Sequence, residues 1–285
     1  GKEGLRPVLC FIEETREYLL GKLRKGTTIT GKEAAKFIAD IKNHLPGCVQ
    51  YVILRADGEF LSWEAVKASL EAGFQFIIAN RRCTPVFEPD DWYRPYKRKP
   101  VEYNSCIYQP MGWKRPCRFV VMRILKTLKQ SSNQQQCVLF EDDKYTYRIF
   151  CTNMAGKAHK VIANYDKRAD VENLVGEAKR EGLDMIPSAK FKNNYAFFQI
   201  VMLAYNIWRY MKMIAQKSVS DVRPAKGSVF KGIMTNTVRI ARLKLLFIAA
   251  KVVNHSNRDT IKYSIHDSRT PEVIHLLKFI DNSRT

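Results

Sequence analysis

The sequence predicts an α/β protein with a β-rich middle and a helical carboxyl-terminal part. Three observations carry that expectation. A strand–helix–strand pattern fills residues 49–79, short strands replace it between about 81 and 163, and long apolar helical stretches follow.

Taken in order, residues 7–12 and 17–23 read as two strands around a turn at 13–16. Residues 31–45 form an amphipathic helix, with Ala34, Phe37, Ile38, Ile41 and Leu45 spaced for one face, and Pro46-Gly47 stops it. The apolar run 49–56, ending at Asp57, suits a buried central strand. Ser62 caps a helix reaching Ala72, Gly73 ends it, and 74–79 is the next strand, which makes a parallel unit. Short strands are expected at 118–125, 137–140 and 145–151, joined by a polar linker at 129–136 and a turn at 142–144. Residues 194–214 form a long helix that is apolar around most of its circumference, a core packing element. A helix at 238–250, a hairpin at 250–265 with a polar turn at 256–259, and a final helix opened by Thr270-Pro271-Glu272 complete the chain. No internal repeat is evident.

Composition narrows the function. The 285 residues carry 48 basic against 28 acidic side chains, a formal +20, which suits a polyanionic partner and favours nucleic acid over a membrane surface. The longest uncharged run, 193–208, is too short and too polar to span a bilayer. No signal peptide opens the chain, so a cytoplasmic location is expected. Seven scattered cysteines form no Cys-x-x-Cys pair, and the five histidines lack helix-type metal spacing, which points to reduced, packed thiols. No phosphate-binding Gly-x-x-x-x-Gly-Lys loop is present, so an ATP-driven mechanism has no support.

One stretch, 165–179, concentrates chemistry. On a continuous helix with Val171 at zero, Arg168, Glu172 and Lys179 sit at about 60, 100 and 80 degrees, beside an apolar stripe of Val171, Leu174, Val175 and Ala178. That places a carboxylate between two cations at the edge of a buried face; a solvated helix with spaced ion pairs has the same pattern. Glu177, at about 240 degrees, points elsewhere. A second concentration, Trp92, Tyr93, Arg94, Tyr96, Lys97, Arg98 and Lys99 with Trp113, Lys114 and Arg115, mixes aromatic and basic side chains as a groove for splayed bases and phosphates requires. A solvated loop with aromatics tucked under it would read the same way.

Tyr165, Arg168, Glu172 and Lys179 also fit, without a gap, the Tyr–Arg–Glu–Lys signature of DDE-type insertion-sequence transposases (transposase DDE domain, group 1). Leu54-Arg55-Ala56-Asp57-Gly58-Glu59-Phe60 resembles the segment around the second catalytic Asp of that family, and 73–79 resembles the strand that follows it. Glu59 departs from the small residue usual there.

The resemblance implies an RNase-H-like catalytic core, in keeping with the order hairpin, helix, strand, helix, strand and later Glu-bearing helix. Its expected divisions are 1–80 and 164–215 for the core, an all-β insertion at 81–163 and a carboxyl-terminal region at 216–285. It implies metal-dependent cleavage of transposon ends and strand transfer. Asp57 and Glu172 would be catalytic ligands of two Mg²⁺ or Mn²⁺ ions about 4 Å apart. Tyr165, Arg168 and Lys179 would contact DNA, joined by Trp92, Arg94, Lys97, Arg98 and Trp113. Transposon-end and target DNA would be the partners, with a homodimer in the synaptic complex and a nucleoid-associated location.

No Asp precedes Asp40, so the first strand and first Asp of such a core are expected to be missing. A truncated remnant that binds DNA without catalysis is the alternative, and a cellular RNase-H-like nuclease acting on RNA is a third reading.

Overall fold

The computed structural model describes residues 4–26, 28–96, 98–126, 144–218, 228, 230–255 and 258–282. The chain divides into two compact units, residues 1–10 with 19–171 and residues 11–18 with 172–285.

In the first unit, β1 (Leu5–Phe11) and β2 (Tyr18–Lys25) form a two-stranded sheet. The next element, α1 (Gly31–His44), starts at a capping box in which Thr30 accepts from the Glu33 N–H and Glu33 accepts from the Thr30 N–H. Its buried face, Ala34, Phe37, Ile38 and Ile41, packs with Val8, Cys10, Leu19 and Leu20 of the hairpin and with Ala65 and Phe74.

The expected strand–helix–strand unit is present as β3 (Ile53–Ala56), α2 (Trp63–Glu71) and β4 (Gln75–Ala79), with the strands parallel and Ile53 opposite Gln75. The Ser62 hydroxyl caps α2 by accepting from the Ala65 N–H, and Gly73, at φ 76°, follows its end. β3 is shorter than the expected 49–56. β4 begins only at Gln75, so among the described residues the chain before Val52 meets no partner strand, and Val49 and Tyr51 are exposed.

The middle of the chain is β-rich as expected, but its strands are not set apart as an insertion with a sheet of its own. β5 (Val101–Tyr108), β6 (Cys117–Leu125) and β7 (Tyr145–Thr152) join the core sheet in the order β3-β4-β7-β6-β5, with β7 antiparallel to β4. Asn153 locks that seam: its amide accepts from the Phe76 N–H at 2.8 Å and donates to the Phe74 carbonyl at 2.9 Å. β5 escaped the sequence reading because Asn104 and Ser105 interrupt its apolar alternation; the buried Asn104 donates to the Glu88 carbonyl at 2.8 Å. The expected strand at 137–140 and the linker before it lie outside the described residues.

Alternation divides the five-stranded sheet into two faces. Ala56, Phe76, Ile78, Phe119, Val121, Ile149 and Cys151 pack under Leu61 and Val66 on one face. Ile77, Val120, Met122 and Phe150 pack under α3 (Ala158–Asp166) on the other. The described cysteines are free thiols, and burial pushes Cys10 up to about 12 and Cys83 and Cys106 to about 11.

In the second unit, α5 (Phe191–Ser218) is the main element. The polar residues that break its apolar run bind the hairpin turn. Asn206 accepts from the Tyr18 N–H and donates to its carbonyl, Tyr205 donates to the Arg16 carbonyl, and Arg209 to that of Thr15. Further on are α6 (Val238–Leu245), the hairpin β8 (Ala250–His255) with β9 (Arg258–Tyr263), and α7 (Thr270–Asn282). α6 stops short of the expected Ala250, where Arg269 donates to the carbonyls of Leu243 and Phe247. Among the described residues, no helix is long and apolar enough to cross a membrane.

The stretch 165–179 is not one helix. α3 ends at Asp166, α4 covers Ala169–Ala178, and a π-turn covers Lys179–Leu183. Two i→i−3 bonds, Arg168 N–H to Tyr165 O and Val171 N–H to Arg168 O, both 2.8 Å, mark the joint. The azimuths computed for a continuous helix therefore hold only within α4.

Candidate active site

Asp57 stands where β3 ends. Ala56 anchors the strand in the core, and Asp57 then caps the one-turn 3-10 helix Gly58–Phe60, with Oδ1 accepting from the Gly58 N–H at 2.6 Å. Arg81, just past the carboxyl end of the parallel strand β4, brings Nη2 to 3.6 Å from the same oxygen. Gly58 permits this approach, because a Cβ there would lie 2.7 Å from the Arg81 side chain and 3.2 Å from the Ala79 carbonyl. The turn after β4 is held by the buried Asn80, which accepts from the N–H groups of Arg82 and Cys83 and donates to the Cys83 carbonyl. Arg82 in turn donates to the Glu59 carbonyl at 3.0 Å. The Glu59 carboxylate pairs with Arg6 of β1 at 2.5 Å, so the departure from a small residue is absorbed by a hairpin arginine.

Tyr165 is buried at the end of α3, its ring 4.5 Å from that of Phe150. Burial raises its phenol pKa; Asp57 raises it further, while Arg168, Arg148 and Arg81 oppose the shift. The Arg168 guanidinium lies 5.9 Å from the Tyr165 ring. Asp57, Arg81, Arg148, Tyr165 and Arg168 thus share one charged neighbourhood at this end of the sheet. Sequence reading missed Arg81 and Arg148. For Arg81 a signal existed, since a cation directly after the second strand of a parallel unit emerges at the same end as Asp57.

Glu172 and Lys179 belong to the second unit, and both are exposed. In α4, Leu174 and Ala178 are buried and Val171 and Val175 half-buried, which matches the expected stripe. Glu177 has a different job. Its Oε1 accepts from the buried Lys212 ammonium at 3.3 Å and from the Val238 N–H at 2.9 Å.

The aromatic and basic residues of the middle region separate into two kinds. Trp92 is half-buried under the Arg123 guanidinium, 3.8 Å from its ring centre, and Arg94 pairs with Glu102 at 2.7 Å. Both make contacts within the fold, although Arg94 stays largely exposed. Arg98 is exposed, Trp113 packs on Trp63 and Phe119, and Lys97 lies outside the described residues.

Carboxylate oxygens are the hard donors that divalent Mg²⁺ or Mn²⁺ takes. Among the described residues, however, no three His, Cys, Asp or Glu side chains gather into a ligand group.

A mixed α/β sheet presenting an acid and cations at one end is compatible with a DDE nuclease. The family profile described as transposase DDE domain, group 1 matches residues 1–285, so the chain belongs to that family and to the machinery of DNA transposition. DNA is the substrate class of these enzymes, and they generally use divalent metal ions. No curated protein matches the chain.

Proposed function

We propose that the chain acts in metal-dependent cleavage of transposon ends and in strand transfer into target DNA. The observation that carries this reading is the cluster around Asp57: a carboxylate at the carboxyl end of a parallel strand, faced by Arg81 and neighboured by Tyr165 and Arg168. The element order from β1 to β4 followed by the Glu-bearing α4 supports reading these parts as an RNase-H-like core, with 81–163 as an insertion whose strands would extend its sheet.

Asp57 and Glu172 would hold two divalent cations, which supply the charge that activates a water or 3′-hydroxyl and stabilises the leaving oxygen. Arg168 and Lys179 bind the phosphates flanking the scissile bond. Arg81 positions the Asp57 carboxylate and screens it, so that the incoming phosphate meets less repulsion. Tyr165 would support the Arg168 side chain, whose guanidinium lies 5.9 Å from its ring. Arg98 adds non-specific backbone contact. A pair of copies would hold two transposon ends in one synaptic complex.

The test compares wild-type chain with Glu172→Gln and Asp57→Ala in Mn²⁺ binding by calorimetry and in nicking of supercoiled plasmid. Glu172→Gln is expected to keep the wild-type melting temperature and Asp57→Ala to lower it modestly through the lost cap, and both should lose Mn²⁺ uptake together with any Mn²⁺-dependent nicking. Uptake or nicking unchanged in both variants would sink the assignment. DNA binding without metal uptake in the wild type would leave the remnant reading, binding without catalysis, in its place.

A further inference from the structure

Within the second unit, the hairpin β8–β9 forms a sheet of its own, and none of its described side chains is buried. The Ser264 N–H, donating to the Ala249 carbonyl at 2.8 Å, closes its base. A lone two-stranded hairpin has no second layer against which to bury a face and is marginally stable in water. Its side chains thus answer to solvent or to a partner, not to a core.

The register sorts these side chains by face. Lys251 stands opposite Lys262, Val253 opposite Thr260 and position 255 opposite Arg258, which puts three cations on one face. The other face takes Val252 opposite Ile261 and Asn254 opposite Asp259, whose carboxylate accepts from the Asn254 amide at 2.9 Å. The acid of the hairpin therefore lies on the face away from the cations. Lys251, Arg258 and Lys262 are exposed, and among the described residues none of them meets a carboxylate. Like charges directly opposite on a sheet, with Cβ atoms about 5 Å apart, destabilise it. Lys251 and Lys262 form such a pair. Arg258 lies four residues from Lys262 along β9, about 13 Å away. A row of uncompensated cations on a narrow ribbon is complementary to a polyanion with closely spaced charges. Duplex DNA carries one charge about every 1.7 Å of its axis, and its major groove, about 12 Å wide, admits a two-stranded ribbon.

We propose that the β8–β9 hairpin is a DNA-contacting ribbon that lays its Lys251, Arg258 and Lys262 face on the phosphates of a duplex groove. The proposal rests on the DNA reading above and adds to it a contact outside the residues assigned there. The test measures binding of the full chain to a fluorescein-labelled duplex of random sequence between about 50 and 200 mM salt. Lys251→Gln, Arg258→Gln and Lys262→Gln combined should lower the log–log slope by nearly three units, about 0.9 for each contact. The melting temperature should stay the same or rise, since the opposed lysine pair is gone. Ile261→Thr, on the other face, should leave the slope at the wild-type value, and Mn²⁺ uptake should be the same in wild type and triple variant. In the wild-type chain the duplex should also slow acetylation of Lys251 and Lys262 by an amine-reactive ester, a readout that needs no variant to fold. An unchanged slope in the triple variant, with both lysines acetylated equally fast with and without duplex, overturns the hairpin proposal and leaves the DNA reading intact. Failure of the wild-type chain to bind the duplex at low salt removes the DNA reading, and the hairpin proposal with it.

Discussion

Glu172 and Glu177 lie on one short helix, yet Glu172 is exposed and Glu177 is half-buried and paired within the fold. Glu177 faces inward to Lys212, which is 1% exposed and whose pKa is lowered by burial against the pull of Glu177. Removing one member of a buried pair leaves the other charge uncompensated, a loss of about 3 kcal/mol or more. Glu177→Gln should therefore lower stability by about 3 kcal/mol in denaturant unfolding, whereas Glu172→Gln should leave it nearly unchanged. Equal stability of the two variants would contradict the division. Helical azimuth alone separated these two acids, because both lie inside α4. Azimuth could not reveal that Trp92 and Arg94 are engaged by Arg123 and Glu102, since those partners come from β5 and β6, at other positions in the sequence.

At the scale of elements, local signals were legible and non-local ones were not. The Ser62 cap, Gly73 and the β3-α2-β4 unit follow from short-range chemistry, and the structure places them within a few residues of expectation. Continuation of the core sheet by β7, β6 and β5 depends on Asn153 and Thr152 reaching β4 across more than seventy residues, which no local pattern reports. The break at Lys167–Arg168 was equally hidden, because the apolar spacing runs on through it. Beyond α4 the chain turns at Gly182, where φ is 116°. Its nearest neighbours to an added Cβ are Phe197 and Val201 at 3.6 and 3.7 Å, ordinary contacts, so Gly182→Ala should cost only backbone strain, about 1–3 kcal/mol. Because this turn ends the segment bearing Glu172 and Lys179, the variant should also weaken DNA binding. A full-stability Gly182→Ala protein would mean that the turn relaxes to a conformation open to any residue.

For the whole molecule the governing quantity is charge. A formal +20 over 285 residues would draw the protein to DNA before any specific contact forms. Internal pairing reduces how much of that charge is directed outward: Arg6, Arg24, Arg94, Arg123, Arg148 and Lys212 each meet a carboxylate. Binding should fall steeply between about 50 and 200 mM salt, as counterion release requires. The log–log slope counts phosphates neutralised, at about 0.9 per contact on duplex DNA. If Arg168 and Lys179 clamp phosphates, Arg168→Ala and Lys179→Ala should each flatten that slope by about one unit with little change in melting temperature. If they are instead internal ion-pair residues, the slope stays put and the melting temperature drops. The paired measurement separates the two because only a phosphate contact releases counterions, whereas only an internal contact stabilises the chain without DNA.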